Sequence, residues 1–527
     1  MADEPVALNA TFEPQTPEWW LQRLVARLKV QQEYVNDYDA FYEGDQPMAF
    51  ASKNFEKVFG PRYKKLPANF MPLVIEAEAE RMAIQGFRFG GPEGDKGAWK
   101  IWQDNLLDAE SQIAHEIALV KGISYAAVDP TKAGAVITIE DPWEVTVETS
   151  SGNRRERLAA LKVWVDQEGN TRAYVFLPDV IYKFVSLASN SKSGWTWDKA
   201  RWTRYADPGE DFGAKNRLGV VPIVPLVNRP RRTGIGRSEI APVMGNQNAI
   251  NKLRFDALVA SEYVAFPQRY AINIDIPIDP ATGKDIAPFR PGVDNLWALR
   301  RPTPEEQQEY ADKVPVPQLG QFPASDLSSY INMIRQEVGE MSSISRTPYH
   351  YLLGEPQSIP PSGESIKSSD TPLVRKVGRQ CLHFGEGWEE TMRIALVATG
   401  QGGKARKDAE TIWEDPETRN EAARTDSIMK QFAAGLLPDE VALEELNYTQ
   451  TQIERIKLMK GGELTESQLT ERINGAAALV RSGYDPADAL VLVGLDPVKH
   501  LGFLPVTVLA GTAPTVTPPP NPEVSLP

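Results

Sequence analysis

A single cysteine, Cys381, stands among 527 residues. That excludes a disulfide within the chain and any metal cluster built on cysteine, and it fits a reducing context such as cytoplasmic synthesis. Histidine is nearly as scarce: His115, His350, His383 and His500, far apart in sequence. His115-Glu116 lacks the second histidine of a zinc-protease helix, so His115 reads as a structural or surface residue rather than as a ligand. Cys381 has only His383 close by, on another face of a helix, and reads as a buried spectator thiol. No stretch matches G-x-x-x-x-G-K-[ST], so the phosphate loop of the NTPases is missing. Gly234-Ile235-Gly236 is a dinucleotide fingerprint without its third glycine, better explained by backbone freedom where a helix begins. No apolar run is long enough to span a bilayer, and no signal-peptide pattern opens the acidic N-terminus. Positive charge is also in deficit, with 57 Lys and Arg against 71 Asp and Glu and a net charge of −14. Proteins that grip nucleic acid by its phosphates show the opposite sign, so tight DNA binding is not the expected purpose. Glu76, Glu78 and Glu80 alternate along a helix and splay apart, which favours a solvated face over paired catalytic carboxylates.

What is present is helical periodicity. Arg237 to Val264 sets Ile240, Val243, Ile250, Leu253, Ala257, Ala260 and Val264 on one face, with Asn246, Asn251, Lys252 and Asp256 turned away. Ser325 to Ser345 repeats this with Leu327, Tyr330, Ile331, Ile334, Val338 and Met341, and Ser325 is the expected N-cap. Between them, residues 265–324 are rich in proline and short β-like runs. Two struts carrying a small separate domain are expected, with the rest of the chain as platform.

Further helices are expected over Pro17–Tyr42, Leu73–Met82, Ala98–Leu107 and Ser111–Gly122. From Ser124 to Val227 the period drops to two, in short runs separated by turns, as in an antiparallel sheet of hairpins. A long helix from about Ser362 to Val397 has Leu373, Val377, Leu382, Phe384, Trp388, Met392 and Leu396 on its core side. Pro372 removes one of its backbone donors and is expected to kink it. Ala409–Trp413 is expected to return as a strand to the earlier sheet. Gly435 to Pro438 and Gly483 to Pro486 each suit a joint between two helices, with Gly at C′ and Pro at N1. Residues 513–527 are proline-rich and expected to be disordered. At this length several domains are expected, of α+β class and mainly helical. The densest basic clusters, Arg229-Pro230-Arg231-Arg232 and Arg154-Arg155-Glu156-Arg157, suit contacts to phosphates or to an acidic neighbouring subunit, or else solvated loops.

The order of these features resembles the portal proteins of tailed bacteriophages of the siphovirus type. The likeness is carried by Phe41-Tyr42-Glu43-Gly44-Asp45-Gln46-Pro47 and by Asn69 to Phe87 with Glu80-Arg81-Met82. It continues in Gly219 to Arg229 followed by Gly236-Arg237-Ser238-Glu239-Ile240, then Ser362 to Lys367 and Pro372 to Val377. The resemblance implies a portal-like architecture: a wing over 1–235, stem helices over 236–264 and 325–346, and a clip over 265–324 between them. Residues 347–416 would hold a tunnel loop, the long kinked helix and a return to the wing, 417–512 a helical crown and 513–527 a tail. It implies a homo-oligomeric ring, commonly of twelve in the particle, around a channel for double-stranded DNA at one capsid vertex of the virion, assembled in the host cytoplasm. Implied partners are terminase, head–tail connector or adaptor proteins, the major capsid protein and a scaffolding protein; no membrane, cofactor, metal or catalytic activity is implied. The alternative is a capsid or connector component that passes no DNA. By this mapping Tyr351, Leu352, Leu353, Gly354, Glu355, Gln357, Ser358 and Ile359 belong to the tunnel loop and Pro372 is the kink. Arg229, Arg231, Arg232, Lys252, Arg254 and Arg335 are the expected contacts to DNA or to a neighbouring subunit.

Overall fold

A computed structural model describes residues 6–47, 68–186, 201–265, 269–272, 280–283, 318–321, 327–354, 363–417, 421–460 and 466–495, with 49 and 57 and less 9, 92–93, 133, 208, 210 and 233. The chain divides into two units, Met1–Gln450 and Thr451–Pro527.

The first unit opens with β1 (Val6–Ala7), α1 (Pro17–Glu43), α2 (Met71–Ala79), β2 (Ile84–Phe89), α3 (Lys96–Asp104) and α4 (Leu107–Lys121). Strands follow: β3 (Ile123–Thr131), β4 (Gly134–Glu140), β5 (Val145–Thr149), β6 (Arg157–Val165), β7 (Thr171–Phe176), β8 (Val180–Ser186), β9 (Arg201–Tyr205), β10 (Ala214–Lys215) and β11 (Ile223–Val227). Then come α5 (Met244–Ala265), β12 (Arg269–Ile272), β13 (Gln318–Gln321), α6 (Ser328–Ser345), α7 (Gly363–Ala398), β14 (Ala409–Trp413), α8 (Glu421–Ala433) and α9 (Asp439–Glu445). The class is α+β, with more residues in helices than in strands.

Local chemistry sets the ends of α1. Thr16 accepts from the Trp19 amide at 3.3 Å, Pro17 occupies the first turn and Gly44 closes the helix at φ 80°, the asymmetry that caps favour. The hairpin region is antiparallel throughout but makes two sheets, β1-β9-β8-β7-β6-β5 with β10 on β8, and β11-β3-β4. Alternate residues of the first sheet, Leu161 and Val163 on β6 and Ala173 and Val175 on β7, face Leu21, Leu24, Val25 and Leu28 of α1 in one core, as a period of two requires.

The larger core is built on α7. Leu373, Val377, Phe384, Trp388, Met392 and Leu396 are all buried, as their spacing predicts, whereas Leu382 is 72% exposed. Leu382 lies five positions from Val377 and six from Trp388, off the three-and-four spacing that keeps a stripe on one face. Trp388 meets Trp102 edge-on at 5.0 Å, and Trp102 meets Phe87 at 5.3 Å.

Four other expectations are corrected. β14 pairs with β2, from Ala409 opposite Phe89 to Trp413 opposite Ile84, rather than with the hairpin sheets. Residues 237–240 are not helical: Pro242, which has no N–H, sits in a 3-10 turn at Ala241–Val243, and α5 starts at Met244. Asn251 is buried rather than turned to solvent. Leu327, not Ser325, precedes α6; Ser325 lies outside the described residues.

α5 and α6 pack on each other, and Asn246 Nδ2 donates to Glu337 Oε2 across the pair at 2.9 Å. Ile240, Val243, Ile250, Val338 and Met341 bury the inner end of the pair, whereas Ile331 of the expected stripe is 51% exposed. Most of the insert between the helices lies outside the described residues; β12 and β13 form an antiparallel pair within it. In the first unit Gly435, at φ 71°, ends α8, and Pro438 is the N-cap of α9 rather than its first residue.

The second unit contains α10 (Gln450–Lys460) from Thr451 onward, α11 (Glu466–Arg481) and α12 (Pro486–Leu492). Gly483, at φ 96°, ends α11, and Asp485 caps α12 by accepting from the Ala487 amide at 2.8 Å. Residues 513–527 lie outside the described residues.

Candidate functional site

The most concentrated polar chemistry lies at the inner end of the α5–α6 pair. It begins with two glycines. A Cβ on Gly236 would stand 1.7 Å from the Gly122 carbonyl oxygen, so only glycine permits this approach. The Asn228 amide then donates to Gly122 O at 3.0 Å, Arg237 to Asn228 O at 2.9 Å and Glu239 to Leu119 O at 2.8 Å. The chain leaving β11 is thereby sewn to the end of α4, and the Glu239 side chain is turned inward.

Glu239 Oε1 accepts from Asn228 Nδ2 and from Arg229 Nε, both at 2.6 Å. From α7, Lys376 reaches Glu239 at 2.7 Å, forms an ion pair with Glu78 of α2, and donates to the Ser345 carbonyl at the end of α6 at 2.7 Å. Gln380, one turn further, donates to Glu78 Oε2 at 2.5 Å and to Glu239 Oε1 at 3.1 Å. Glu78, Glu239, Lys376 and Gln380 are all buried. Two buried carboxylates thus face one buried cation, Lys376, with Arg229 closing the network from the half-buried side.

Burial pushes the Glu78 carboxyl up to about 7, against the pull of Lys376. Burial pushes Glu239 the same way, but Lys376 and Arg229 together outweigh it and hold that carboxyl below its ordinary value. Removing one partner from such a network strands a buried charge, which costs far more than an exposed pair contributes.

Glu78 is therefore not part of the solvated face expected for it. Glu76 and Glu80 are exposed, but Glu78 is 0% exposed. The missed signal is spacing: Val74, Ile75, Glu78 and Met82 fall at three- and four-residue steps on one face. Lys376 likewise follows Leu373 by three.

A second cluster lies where the tunnel-loop residues were expected. Tyr349–Leu352 is a single helical turn, not a loop, and Leu352 is buried. Arg81 Nη2 donates to Tyr351 Oη at 2.9 Å, and Tyr351 Oη donates to Asp370 Oδ2 at 3.2 Å. Arg81 also stands 3.6 Å from Asp370. Tyr351 and Leu352 are thus anchors. Leu353 is half-buried and Gly354 exposed; Glu355, Gln357, Ser358 and Ile359 lie outside the described residues. α7 runs through Pro372.

The basic candidates separate. Arg229 is spent on Glu239, and Lys252 pairs with Asp256 one turn on at 2.5 Å. Arg231, Arg232, Arg254 and Arg335 are exposed.

His115 is buried and structural: its Nε2 accepts from Trp388 Nε1 at 2.9 Å, it stacks on Phe384, and burial lowers its pKa to about 3. Burial also pushes the Cys381 thiol up to about 12, leaving it protonated and unreactive at neutral pH. Among the described residues no group of three or more His, Cys, Asp or Glu is placed to hold a metal, and no helix is long and apolar enough to cross a membrane.

A helix pair on either side of an insert, its inner end locked by buried charge to a helical and sheet-bearing platform, defines a structural subunit whose notable side chains hold segments together. The family described as phage portal protein, SPP1 Gp6-like, matches residues 21–465, and the chain belongs to it. It is 29% identical over 407 residues to the portal protein of Mycobacterium phage D29, covering 73% of this chain and 77% of that one. Against the portal protein of Mycobacterium phage L5 it is 29% identical over 406 residues, covering 73% and 76%. A solved structure titled as the neck of a native GTA particle, computed with C12 symmetry, is 11% identical at a TM-score of 0.38, over 85% of this chain and 96% of that one. Another, the neck of an empty GTA particle computed with C6 symmetry, is 11% identical at 0.41, over 78% and 98%.

Proposed function

We propose that this phage portal protein works as a homo-oligomeric ring of twelve at one capsid vertex of the virion, enclosing the channel through which double-stranded DNA is packaged and ejected. The observation that carries the reading is the α5–α6 pair, buried and charge-locked at one end and bearing exposed Leu258, Ile331 and Met333 further along. Rods with uncovered apolar side chains gain burial by lying beside copies of themselves, and a head-to-tail contact that closes makes a ring.

On this reading the two rods are the stem, residues 265–324 the clip, residues 1–235 the wing and residues 417–512 the crown. The segment after Gly354 is the tunnel loop, and Pro372 bends the helix that follows it. Terminase and the head–tail connector dock on the ring, which contacts the major capsid and scaffolding proteins during assembly in the host cytoplasm. Arg231, Arg232, Arg254 and Arg335 are the contacts to DNA or to a neighbouring subunit. The net charge of −14 suits a channel that must not hold DNA fast, since an acidic wall keeps phosphates from condensing on it. The chain needs no catalysis of its own, and purified protein is expected to show no ATPase activity.

Electron microscopy of the purified chain tests this. The expected particle is a ring of about 700 kDa, from twelve chains of 58.5 kDa, with an axial hole wide enough for a duplex. A closed or flat assembly without a hole would favour a capsid or connector component that passes no DNA.

A further inference from the structure

We infer that a cationic groove on the first unit is the surface that receives a second copy of this chain. The inference rests on the ring reading and gives it a specific face. The groove has a volume of about 1830 Å³ and lies between α1, the β5–β6 turn, the loop after β11, the end of α6 and the outer side of α7. It unites the two basic clusters that stand far apart in sequence: Arg154 Nη1 reaches the Arg231 carbonyl at 3.5 Å.

Nine arginines and three lysines line it against three carboxylates, Glu239, Glu386 and Glu390. Two of those carboxylates are already spent, Glu239 on Arg229 and Lys376, and Glu390 on Arg157 and Arg393. Arg27, Arg154, Arg155, Arg231, Arg237 and Arg346 have no carboxylate partner among the described residues. His383 in the groove is lowered by burial first and then by Arg379 and Arg154, with Glu386 pulling the other way.

Charge and composition choose the occupant. Twelve cations line the groove against three carboxylates, and Asp39, Asp141 and Glu78 behind the lining pair with Lys121 and Lys376, so the groove region keeps a surplus of six positive charges on a chain of net charge −14 and the rest sums to −20. Any other face of an identical copy is therefore drawn from a strongly acidic surface, and such complementarity steers two copies together. The groove also bares apolar side chains, Leu382, Ile235, Ile344 and Val397. Arginine in excess of lysine among exposed apolar groups marks a protein interface. A phosphate-binding surface would gain nothing from Leu382.

The test uses the full-length chain with two separate changes, the double substitution Arg154→Glu with Arg155→Glu, and Leu382→Asp. All three positions are exposed, so folding should survive, and thermal unfolding in the same buffer checks it. Light scattering over a concentration series should show half-assembly at about tenfold or more higher protein concentration for each variant, with Arg154→Lys plus Arg155→Lys close to wild type. Folded variants that assemble at the wild-type concentration overturn the inference while the ring reading stands. Variants that assemble normally but no longer bind a short DNA duplex overturn it in favour of nucleic acid. A wild-type chain that never oligomerises overturns the ring reading itself.

Discussion

The surroundings of the inner end of the α5–α6 pair and the outward reach of the same pair treat side chains in opposite ways. At the inner end Glu78, Glu239, Lys376 and Arg229 are mutually partnered, and Ile240, Val243, Ile250, Val338 and Met341 are buried. Further out, Leu258, Ile331 and Met333 lie open, and Arg254 and Arg335 stand among them. The ionic network at the inner end is complete within one chain, although Ile344 beside it is exposed and opens on the cationic groove. The outer reach is not, because a lone subunit gains nothing from apolar side chains in water. The buried network serves the stability of the subunit, while the open side chains of the outer reach, like the groove beside the inner end, are left for association between subunits.

Substitutions can break that division or sharpen it. Lys376→Met should have the largest effect, leaving Glu78 without a cation and Glu239 with Arg229 alone; a loss of about 3–5 kcal/mol is expected in urea unfolding. A loss under about 1 kcal/mol would mean that the lock contributes little. Trp388→Phe removes the donor to His115 and part of the core volume, and should cost about 1–3 kcal/mol by the same measurement.

Glu78→Gln should act mainly through pH. The folded-state value of Glu78 lies above its unfolded one, so its contribution is full below pH 4.5 and is lost as pH rises to about 7. Wild type should therefore lose stability against the variant across that window, a slope read from thermal melts at several pH values. His115 works in the opposite sense: its value is lowered to about 3, so its contribution is lost as pH falls below 6.5. Between pH 4.5 and 6.5 the two offset each other in wild type. Smallest in stability, within about 0.5 kcal/mol, should be Met333→Ser on the outer reach; the same change should weaken assembly measurably by sedimentation. If it destabilised the subunit instead, the division between inner and outer lengths would fail.

Much of the fold was legible because burial follows period. The α7 stripe and the alternation on β6 and β7 read correctly from spacing, and Gly44, Gly435 and Gly483 mark helix ends by their left-handed backbone. What failed was pairing across distance. Nothing local tells β14 to seek β2 rather than the hairpin sheets, since both offer edges. Leu382 is hydrophobic but not core, because its spacing sets it outside the stripe. The lock was missed for a different reason: a carboxylate is presumed wet unless a cation is known to stand opposite, and Lys376 lies 298 positions from Glu78. Arg229 looks available in the sequence for the same reason, its partner Glu239 lying ten positions on across a turn.

Asp370 and Lys376 flank Pro372 on α7, and both reach one short stretch of chain, Asp370 to Arg81 and Lys376 to Glu78. The weak point of the long helix is therefore splinted from outside. Flexing there cannot be a local event: it either carries α2 along as ballast or tears two ionic fastenings at once. Tyr351, which shares the first fastening, ties the turn before α7 to the same splint.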